Sequence, residues 1–526
     1  MNLLDEHFHH PRNQGLIAAD ASGSAGDEGC GALIRIQIVF EDRVIARAAF
    51  EASGSRAAIA AGSLLTSLVT GRSWWEAAAL SAPAVAGALG GADTSGVAAA
   101  PRSGGHAADT GRAADAGAAP RSASGRLIAA AAGFAVDALH AALTDAATRG
   151  TLPGMAAGAG DIVLVAMSGG VDSSAACLLE QRAGARVLGV TMRLWSTPGG
   201  GAVETAASCC SPAAERDARA VCHQLGLPHL TMDCSVRFRE EVVEGFAREY
   251  LSGRTPNPCT ACNGSFRFPL LLELAAWLGA DSVATGHYAR VRQAGAGPVL
   301  ARAADAVKDQ SYMLWGLDPG ALARIHFPLG EYRKEETRAL ARSAGLVTSE
   351  QPESQDICFI PGGDYRIFLR DFMNQHKLPL PGRGEIVDAS GLRIGFHQGY
   401  QDYTVGQRRG LGGGAPEPLY VLGTIPERNV VVAGTHAELA VRLVEMGGVN
   451  RFVPVHEGES LLVQLRYNSP PVPARLAVAG DTWKLELEEP VMGVAPGQSA
   501  VLYRGETVAA GGVIRSTDRG LPVEPA

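Results

Sequence analysis

Two groups of residues in this 526-residue sequence have the types and spacing that chemistry requires. The first is the segment SGGVDSS at 168–174, between an apolar, β-branched run at 162–166 and a helix-like run at 175–179. Glycines allow tight turns and close backbone approach, and a helix N-terminus offers amide donors and the positive end of a dipole. The segment therefore predicts an anion site at a strand-to-helix junction, suited to the pyrophosphate of a nucleotide. It is not a Walker A motif, because no Gly-Lys-Ser/Thr follows.

The second group is three cysteines, Cys259 and Cys262 in TPNPCTACN and Cys358 in SQDICFI. A Cys-x-x-Cys after a proline-rich turn is typical of a redox pair, half of a zinc site or part of an iron–sulfur site. No second Cys-x-x-Cys completes a four-cysteine zinc site. Between Ile357 and Phe359, Cys358 also fits a purely structural, buried role. The residues alone leave these alternatives open.

Net charge, the N-terminal residues and the cysteine content limit the possible binding partners and the cellular compartment of the protein. The net charge is −8, so a polyanionic partner requires a local basic surface; arginines cluster at 324–342, 366–370 and 408–409. The polar start MNLLDEHFHHPRNQG lacks a signal-peptide pattern, and the apolar run at 127–136 is too short and too alanine-rich to span a bilayer. We therefore expect a cytoplasmic protein without a membrane partner, whose nine cysteines act as reactive or metal-binding thiols rather than as a disulfide framework.

The elements that must position these residues follow from the hydrophobic pattern. From 161 to about 346, short apolar runs alternate with helical periodicity, which predicts an α/β fold with a doubly wound parallel sheet. Ligands bind outside the carboxyl ends of such strands, where 168–174, Met192 and 285–287 are expected. We divide the chain into a catalytic domain at 161–372, a small central domain at 373–436 and a C-terminal β-barrel at 437–519.

The N-terminal part of the chain has a different pattern. Alternation at 33–50 predicts a β-hairpin, and helix-like runs follow at 57–69 and 126–148. Between them, 83–125 consists mostly of Ala, Gly, Ser and Pro, a composition that cannot bury a core. We therefore expect an α+β domain at 1–82 plus 126–150, with 83–125 as an insertion or linker.

Together, these motifs make the segment 161–519 resemble the MnmA-type tRNA 2-thiouridylases of the ATP-pyrophosphatase superfamily along essentially their whole length. Seven motifs occur in family order: AMSGGVDSS at 166–174, GRTPNPCTACN at 253–263, ATGHYAR at 284–290, KDQSYML at 308–314, QDICFI at 355–360, GYQDYTVGQRRGLG at 399–412 and PGQSA at 496–500. Relatives that share only the first motif, such as argininosuccinate, GMP and NAD synthetases, lack the paired cysteine motifs.

The resemblance implies ATP-dependent 2-thiolation of the wobble uridine of tRNA, with AMP and pyrophosphate as products. ATP converts the C2 oxygen, a poor leaving group, into an adenylate. The implied ATP-binding residues are Ala166, Met167, Ser168, Gly169, Gly170, Val171, Asp172, Ser173, Met192 and Gly286, with Asp172 as the carboxylate next to Mg²⁺.

The resemblance also assigns sulfur transfer and tRNA contact. Cys358 matches the family cysteine that receives sulfur as a persulfide, and Cys262 matches the nucleophile that releases this sulfur and leaves a Cys262–Cys358 disulfide. The implied tRNA contacts are Asn257, Pro258, Cys259, His287, Lys308, Asp309, Gln310, Arg466, Tyr467 and Gln498. A flipped, unstacked base is expected, since the chemistry must reach a ring atom.

One residue departs from the common family pattern. Many members carry Asp at the position of Cys259, and a cysteine cannot replace that carboxylate at neutral pH. With this cysteine the motifs contain three thiolates, at Cys259, Cys262 and Cys358. Three thiolates could bind three irons of a [4Fe-4S] cluster and leave the fourth iron open for hydrosulfide. Persulfide chemistry and cluster-bound sulfide therefore remain two hypotheses for the sulfur source.

The N-terminal part resembles an IscU/NifU-type iron–sulfur scaffold, through HFHHPRNQG at 7–15, Gly-Cys-Gly at 29–31, AAIAAGSLL at 57–65 and AVDALHAAL at 135–143. Scaffolds use three cysteines and an aspartate, but here only Cys30 remains; Ala32, Ser55 and a position near Ala131 replace the others. We expect a degenerate domain that docks a cysteine desulfurase or a sulfur carrier, or that serves packing. The alternative for the whole chain is an iron–sulfur or sulfur-trafficking protein with a regulatory nucleotide domain.

Overall fold

A computed structural model describes residues 2–27, 32–90, 123–154, 161–195, 211–295, 297–352, 357–360, 363–411, 417–478, 480 and 482–521. Cys30 and most of the expected insertion, 91–122, lie outside the described residues.

The N-terminal domain is an antiparallel three-stranded sheet covered by helices. Its elements are α1 (Leu3–His9), β1 (Ala21–Asp27), β2 (Ala32–Glu41), β3 (Val44–Ser53), α2 (Arg56–Val69), α3 (Trp74–Ala78), α4 (Ala82–Leu89) and α5 (Ala123–Thr148). Strand order is β1-β2-β3. The predicted hairpin is confirmed: Asp42 and Arg43 join β2 to β3 with φ of 48° and 68°, the left-handed geometry of a tight hairpin turn.

Helix α4 corrects one expectation, since the start of the expected insertion is ordered. Ser81 caps α4, its hydroxyl accepting the Ala84 amide, and Val85, Ala88 and Leu89 are buried. Alanine has the highest helix propensity, so an alanine-rich segment becomes helical once it has a face to bury. The predicted boundary at 83 therefore falls inside a helix.

Helix α5 also differs from expectation, because its apolar stretch extends well beyond 127–136. In the described part of the chain it is the one helix that satisfies the length and composition of a membrane span, and half of its most apolar window is buried inside the protein. It packs along β1 and α2, as the core helix of this domain.

The second domain has the predicted doubly wound parallel sheet, in the order β10-β7-β4-β5-β6. Its elements are β4 (Ile162–Ala166), α6 (Val171–Arg182), β5 (Arg186–Arg193), α7 (Pro212–Gln224), β6 (His229–Asp233), α8 (Ser235–Phe238), α9 (Glu244–Leu251), α10 (Pro258–Ala261), α11 (Phe268–Leu278), β7 (Ser282–Thr285), β8 (Arg290–Ala294), β9 (Gly297–Ala301), β10 (Ile325–His326), α12 (Lys334–Ser343) and α13 (Tyr365–Gln375). Strand order reverses between β4 and β7, which creates the crevice where open α/β sheets bind ligands.

Two β domains follow. The central sheet contains β11 (Gly384–Val387), β12 (Arg393–His397), β13 (Tyr420–Ile425) and β14 (Val430–Gly434), in the order β12-β11-β14-β13. The last domain contains β15 (Ala440–Arg451), β16 (Ser460–Gln464), β17 (Val472–Val478), β18 (Thr482–Met492), β19 (Ser499–Arg504) and β20 (Thr507–Thr517). Pairing of β15 with β20 closes this sheet into a barrel. The hairpin β8–β9 of the second domain joins it through β20, so the sheet of the barrel extends beyond the expected domain.

The N-terminal domain docks on the second domain through α5 and α3. Asp137 on α5 forms an ion pair with Arg219 on α7, and the His223 ring nitrogen Nε2 lies 3.2 Å from the Ala78 carbonyl oxygen. The His140 ring lies 5.4 Å from that of His223 and 6.2 Å from that of His229, between centroids. Apolar residues of both domains form one continuous core, so the two are packed together rather than loosely tethered.

Candidate active site

The segment SGGVDSS forms a turn at the crevice that its own side chains hold together. The Ser168 amide donates to Ser173 Oγ at 3.1 Å, and Ser173 Oγ donates to the Gly170 carbonyl at 3.0 Å. Gly169 has φ of 76°, and a Cβ there would lie 2.2 Å from the Ala214 carbonyl oxygen. Only glycine fits this position. The turn leads directly into the N-terminus of α6, whose dipole favours an anion.

The end of β7 lies against the first turn of α6. A Cβ on Gly286 would lie 2.7 Å from the Asp172 carbonyl carbon and the Ser173 amide nitrogen. The neighbouring strand β5 contributes Met192, which is partly buried, and Met167 binds the Val190 carbonyl through its amide. The structure thus brings the sequence-predicted nucleotide residues, from Ala166 to Ser173 with Met192 and Gly286, to one edge of the sheet.

Asp172 is part of a charged network that the sequence did not reveal. Its carboxylate oxygens lie 2.7 and 2.8 Å from Lys334 Nζ at the start of α12, and Tyr288 donates its hydroxyl to Asp172 Oδ1 at 2.9 Å. The Lys334 side chain is only 11% exposed. The buried ammonium neutralises the Asp172 carboxylate at the N-terminus of α6. The sequence did contain one indication of Lys334, because this residue lies within the basic cluster at 324–342 and begins a helix there.

The Cys-x-x-Cys lies at the start of a long helical segment. Asn257 caps α10, its Oδ1 accepting the amides of Cys259 and Thr260. A π-helical turn, Cys262–Arg267, separates α10 from α11; such turns are frequent at functional sites. Cys259 is exposed, whereas Cys262 is 6% exposed. The cap therefore fixes the backbone of the segment that bears both thiols.

The C-terminal barrel holds the chain just before these cysteines. The Thr255 amide donates to the Pro496 carbonyl at 2.8 Å, and Gln498 Nε2 donates to the Thr255 carbonyl at 2.7 Å. At Gly497, with φ of 93°, a Cβ would lie 2.9 Å from the Thr255 amide nitrogen. Gln498, expected at the tRNA, is thus also bonded to the cysteine-bearing segment.

An aromatic cluster connects the segments that bear Cys262 and Cys358. Phe359, next to Cys358, contacts Phe238 with ring centroids 5.8 Å apart. Phe238 in turn contacts Phe266, one turn along the helix from Cys262, at 5.3 Å. Both cysteines belong to the same core or its margin. The two segments are therefore anchored on shared rings, which keeps them in one region of the domain.

The described residues do not present a preformed metal centre. Within them, no three His, Cys, Asp or Glu side chains converge closely enough to hold a metal ion. Cys259, Cys262 and Cys358 therefore do not form a site for a single metal ion, and the [4Fe-4S] cluster, whose ligating sulfurs lie farther apart than those of one ion, stays a hypothesis. In the N-terminal domain, Ser55 caps α2 by accepting the Ala58 amide, and Ala131 is buried.

The other expected tRNA contacts fall into two groups. Asp309 and Gln310 serve the fold: Asp309 Oδ1 accepts the amides of Ala303 and Ser311, and Gln310 Oε1 accepts the Tyr288 amide. Burial raises the pKa of the Asp309 carboxyl. Lys308 is partly exposed and Arg466 is exposed, so both side chains are accessible to a ligand.

Two of the residues expected to contact tRNA have aromatic side chains that pack against other rings. Tyr467 is partly exposed and contacts Tyr312, with ring centroids 6.1 Å apart. His287 packs between Phe268 and Phe327, and burial, with a smaller effect of Arg267, lowers its pKa to about 3. His287 is therefore neutral at physiological pH, and its ring Nδ1 lies 2.8 Å from Thr285 Oγ1.

Comparison with known proteins covers almost the whole chain. Four family models match: the NifU-like N terminal domain at 2–118, the tRNA methyl transferase HUP domain at 161–362, the tRNA methyl transferase PRC-barrel domain at 370–435 and the aminomethyltransferase beta-barrel domain at 448–514. The Bifunctional protein NifU/MnmA of Rubrobacter xylanophilus is 42% identical over 524 residues, 98% of both chains. The tRNA-specific 2-thiouridylase MnmA of Chloroflexus aurantiacus is 46% identical over 357 residues, 67% of this chain and 98% of that protein.

Proposed function

This chain belongs to the family of bifunctional NifU/MnmA proteins, and from that premise we propose that it uses ATP to replace the C2 oxygen of the tRNA wobble uridine with sulfur. The observation that carries the proposal is the intact pyrophosphate turn at the strand-order reversal of a parallel sheet, together with the cysteine motifs in the same domain. The alternative of a regulatory nucleotide domain has no observation in its favour.

ATP activates the oxygen in the first half of the reaction. The C2 oxygen attacks the α-phosphorus, the bond to the bridging oxygen breaks and pyrophosphate leaves. We assign nucleotide binding to Ala166, Met167, Ser168, Gly169, Gly170, Val171, Asp172, Ser173, Met192 and Gly286. The dipole of α6 and the ammonium of Lys334 stabilise the negative charge of the departing pyrophosphate. Mg²⁺ prefers carboxylate ligands, and Asp172 is the carboxylate that would hold it.

Sulfur replaces the activated oxygen in the second half. We assign Cys358 as the thiol that carries a persulfide and Cys262 as the nucleophile. The terminal sulfur forms a bond to C2, and AMP leaves with the oxygen. The Cys262 thiolate attacks Sγ of Cys358 and breaks the S–S bond of the persulfide, so that a Cys262–Cys358 disulfide remains. An external thiol then reduces this disulfide and restores both cysteines.

The remaining assignments concern partners and the division of the chain. We assign tRNA contact to Asn257, Pro258, Cys259, His287, Lys308, Arg466 and Tyr467, with Asp309, Gln310 and Gln498 supporting the surrounding backbone. A cysteine desulfurase or a sulfur carrier donates the sulfur in the cytoplasm. The N-terminal domain docks that donor, and 161–372 carries out the chemistry.

The test is sulfur transfer with purified components. The full-length protein, ATP, Mg²⁺, unmodified tRNA and a cysteine desulfurase with radiolabelled cysteine should give labelled 2-thiouridine, with AMP and pyrophosphate released in equal amounts. Asp172→Asn serves as a control that should abolish the product. Labelling that proceeds without ATP, or no labelling with the unaltered protein, would contradict the proposal.

A further inference from the structure

Two of the basic clusters in the sequence meet in one cleft. A cavity of about 620 Å³ lies where the start of α13 faces the loop between β12 and β13. The side chains that line it are Asp364, Tyr365, Arg366, Gln407, Arg408 and Arg409. Along the chain, this cleft begins shortly after Cys358. Residues about 40 positions apart in the sequence thus form a single concave surface, whose first lining residue, Gly363, follows Cys358 by five positions in the chain.

Arg408 and Arg409 lie on a turn that is held by hydrogen bonds. Gln407 Oε1 accepts the Thr404 amide at 3.3 Å, and Gln407 Nε2 donates to the Arg409 carbonyl at 2.9 Å. Backbone bonds from the Gly406 amide to the Val421 carbonyl, and from the Val421 amide back to the Gln407 carbonyl, tie the turn to β13. The backbone that presents Arg408 and Arg409 is therefore organised before any ligand arrives, which lowers the entropic cost of binding.

The charge of the cleft is positive. Arg366 is bound in a bidentate pair by Asp364, with both distances 2.8 Å. Arg408 and Arg409 are exposed, and neither forms an ion pair with another residue in the described part of the chain. With one carboxylate against three guanidinium groups, the lining side chains carry a net charge of about +2 at neutral pH.

Tyr365 lines the cleft without adding charge to it. The Tyr365 hydroxyl is buried and has no hydrogen-bond partner among the described residues. Burial raises the pKa of Tyr365, so the hydroxyl keeps its proton and remains a donor. The hydroxyl is closed to solvent, so an anion in the cleft would contact the guanidinium groups and the edge of the Tyr365 ring.

We propose that this cleft binds phosphodiester groups of the tRNA backbone close to the nucleotide that is thiolated. The proposal rests on the function proposed above. Arginine forks match phosphate oxygens in geometry, and a chain with a net charge of −8 requires such a local surface to attract RNA. Its start five positions after Cys358 in the chain means that a phosphate held here fixes the anticodon loop relative to the sulfur donor.

The test is the salt dependence of tRNA binding to the full-length protein with Arg408→Ala and Arg409→Ala combined. Each phosphate contact contributes about 0.7–0.9 to the slope of log K against log salt. The double variant should lower that slope by about 1–2 and weaken binding about tenfold at physiological salt. The double variant Arg408→Lys and Arg409→Lys should keep most of the slope. A matched control, Arg182→Ala with Arg428→Ala, removes two exposed arginines elsewhere and should change neither quantity.

The possible outcomes distinguish a failure of the cleft proposal from a failure of the proposed function. If the unaltered protein neither binds nor thiolates tRNA, the proposed function fails. If it does both and the Arg408/Arg409 double variant matches the control in slope and affinity, the cleft is not a phosphate site for RNA. A raised KM for ATP with unchanged tRNA affinity would also overturn the proposal, because it would make the cleft a nucleotide site. Equal melting temperatures of the variants would establish that folding is unaffected.

Discussion

Lys334 Nζ lies 2.7 Å from Asp172 Oδ1 and 2.8 Å from Asp172 Oδ2, so one ammonium bridges both oxygens of a carboxylate in the first turn of α6. The two residues are far apart in the sequence, and their contact joins α12 to α6. Tyr288 donates to the same carboxylate. The two charges cancel, and the network holds the first turn of α6 against the start of α12.

The first prediction concerns Lys334. Lys334→Met should lower tRNA-dependent pyrophosphate release about 100-fold, which is typical of losing one preorganised charge at a developing anion. Lys334→Arg should retain more activity, because the positive charge remains. The measurement is pyrophosphate release at saturating tRNA, with ATP titrated. The variant also leaves Asp172 without its cation, so its melting temperature should be measured in parallel. Full activity of Lys334→Met in a folded protein would remove this residue from the nucleotide site.

The second prediction concerns Gly286. Gly286→Ala places a Cβ 2.7 Å from two backbone atoms of the first turn of α6, and backbone cannot move aside as a flexible side chain can. The turn that receives pyrophosphate must shift, so KM for ATP should rise at least about tenfold, since a 1 Å misplacement near an active site can cost far more.

Gly133 offers the matched control for this substitution. It lies within α5, and a Cβ there meets no atom within 4 Å. Gly133→Ala should leave KM for ATP unchanged and stabilise the helix by about 0.5–1 kcal/mol. An unchanged KM for ATP in Gly286→Ala would show that the turn does not receive the nucleotide.

The third prediction separates the two hypotheses for the sulfur source. Persulfide chemistry requires Cys262 and Cys358, so Cys262→Ser and Cys358→Ser should each abolish thiolation, whereas Cys259→Ala should retain it. We expect protein purified without oxygen to contain no stoichiometric iron or sulfide, because the persulfide route needs only the thiols of Cys262 and Cys358. About four irons per chain, lost together with activity in Cys259→Ala, would establish the cluster instead.

The fourth prediction is a loss of stability in mild acid. Burial lowers the pKa of His140 and of His229 well below the usual value of 6.5, and it lowers that of His223 to about 4. Arg219 adds to each shift by repelling the charged form, and Asp137, its ion-pair partner, lies on the opposite helix. Below pH 6.5 the unfolded chain binds protons that the folded interface refuses, so the free energy of unfolding should fall as pH drops from 6.5 towards 4.

Thermal melting at pH 7.5 and pH 5.5 measures this effect. His140→Leu removes one buried titrating group and should reduce the difference between the two melting temperatures. His436→Leu alters a histidine on the central domain, away from the interface, and should leave the difference unchanged. The same pH dependence in all three proteins would show that the interface histidines do not control it.

The sequence predicted the local structure of the candidate site. The strand, the glycine turn and the helix around Gly169 each follow from residues within a few positions of one another, and so does the hairpin at Asp42 and Arg43. The order of motifs indicated the family. The helical state of α4 was missed because composition does not show whether an alanine-rich segment has a surface to pack against.

Contacts between distant segments were decided by the tertiary structure alone. Nothing near Lys334 in the sequence indicates Asp172 as its partner, and nothing near Thr255 indicates the barrel residues Pro496 and Gln498. Arg366 and Arg408 share a cleft only because α13 packs against the central domain. The sequence determined which elements form and which chemistry they carry, since propensity and periodicity act over a few residues. The fold decided which charges, thiols and backbone groups meet, since packing depends on the shapes of whole elements.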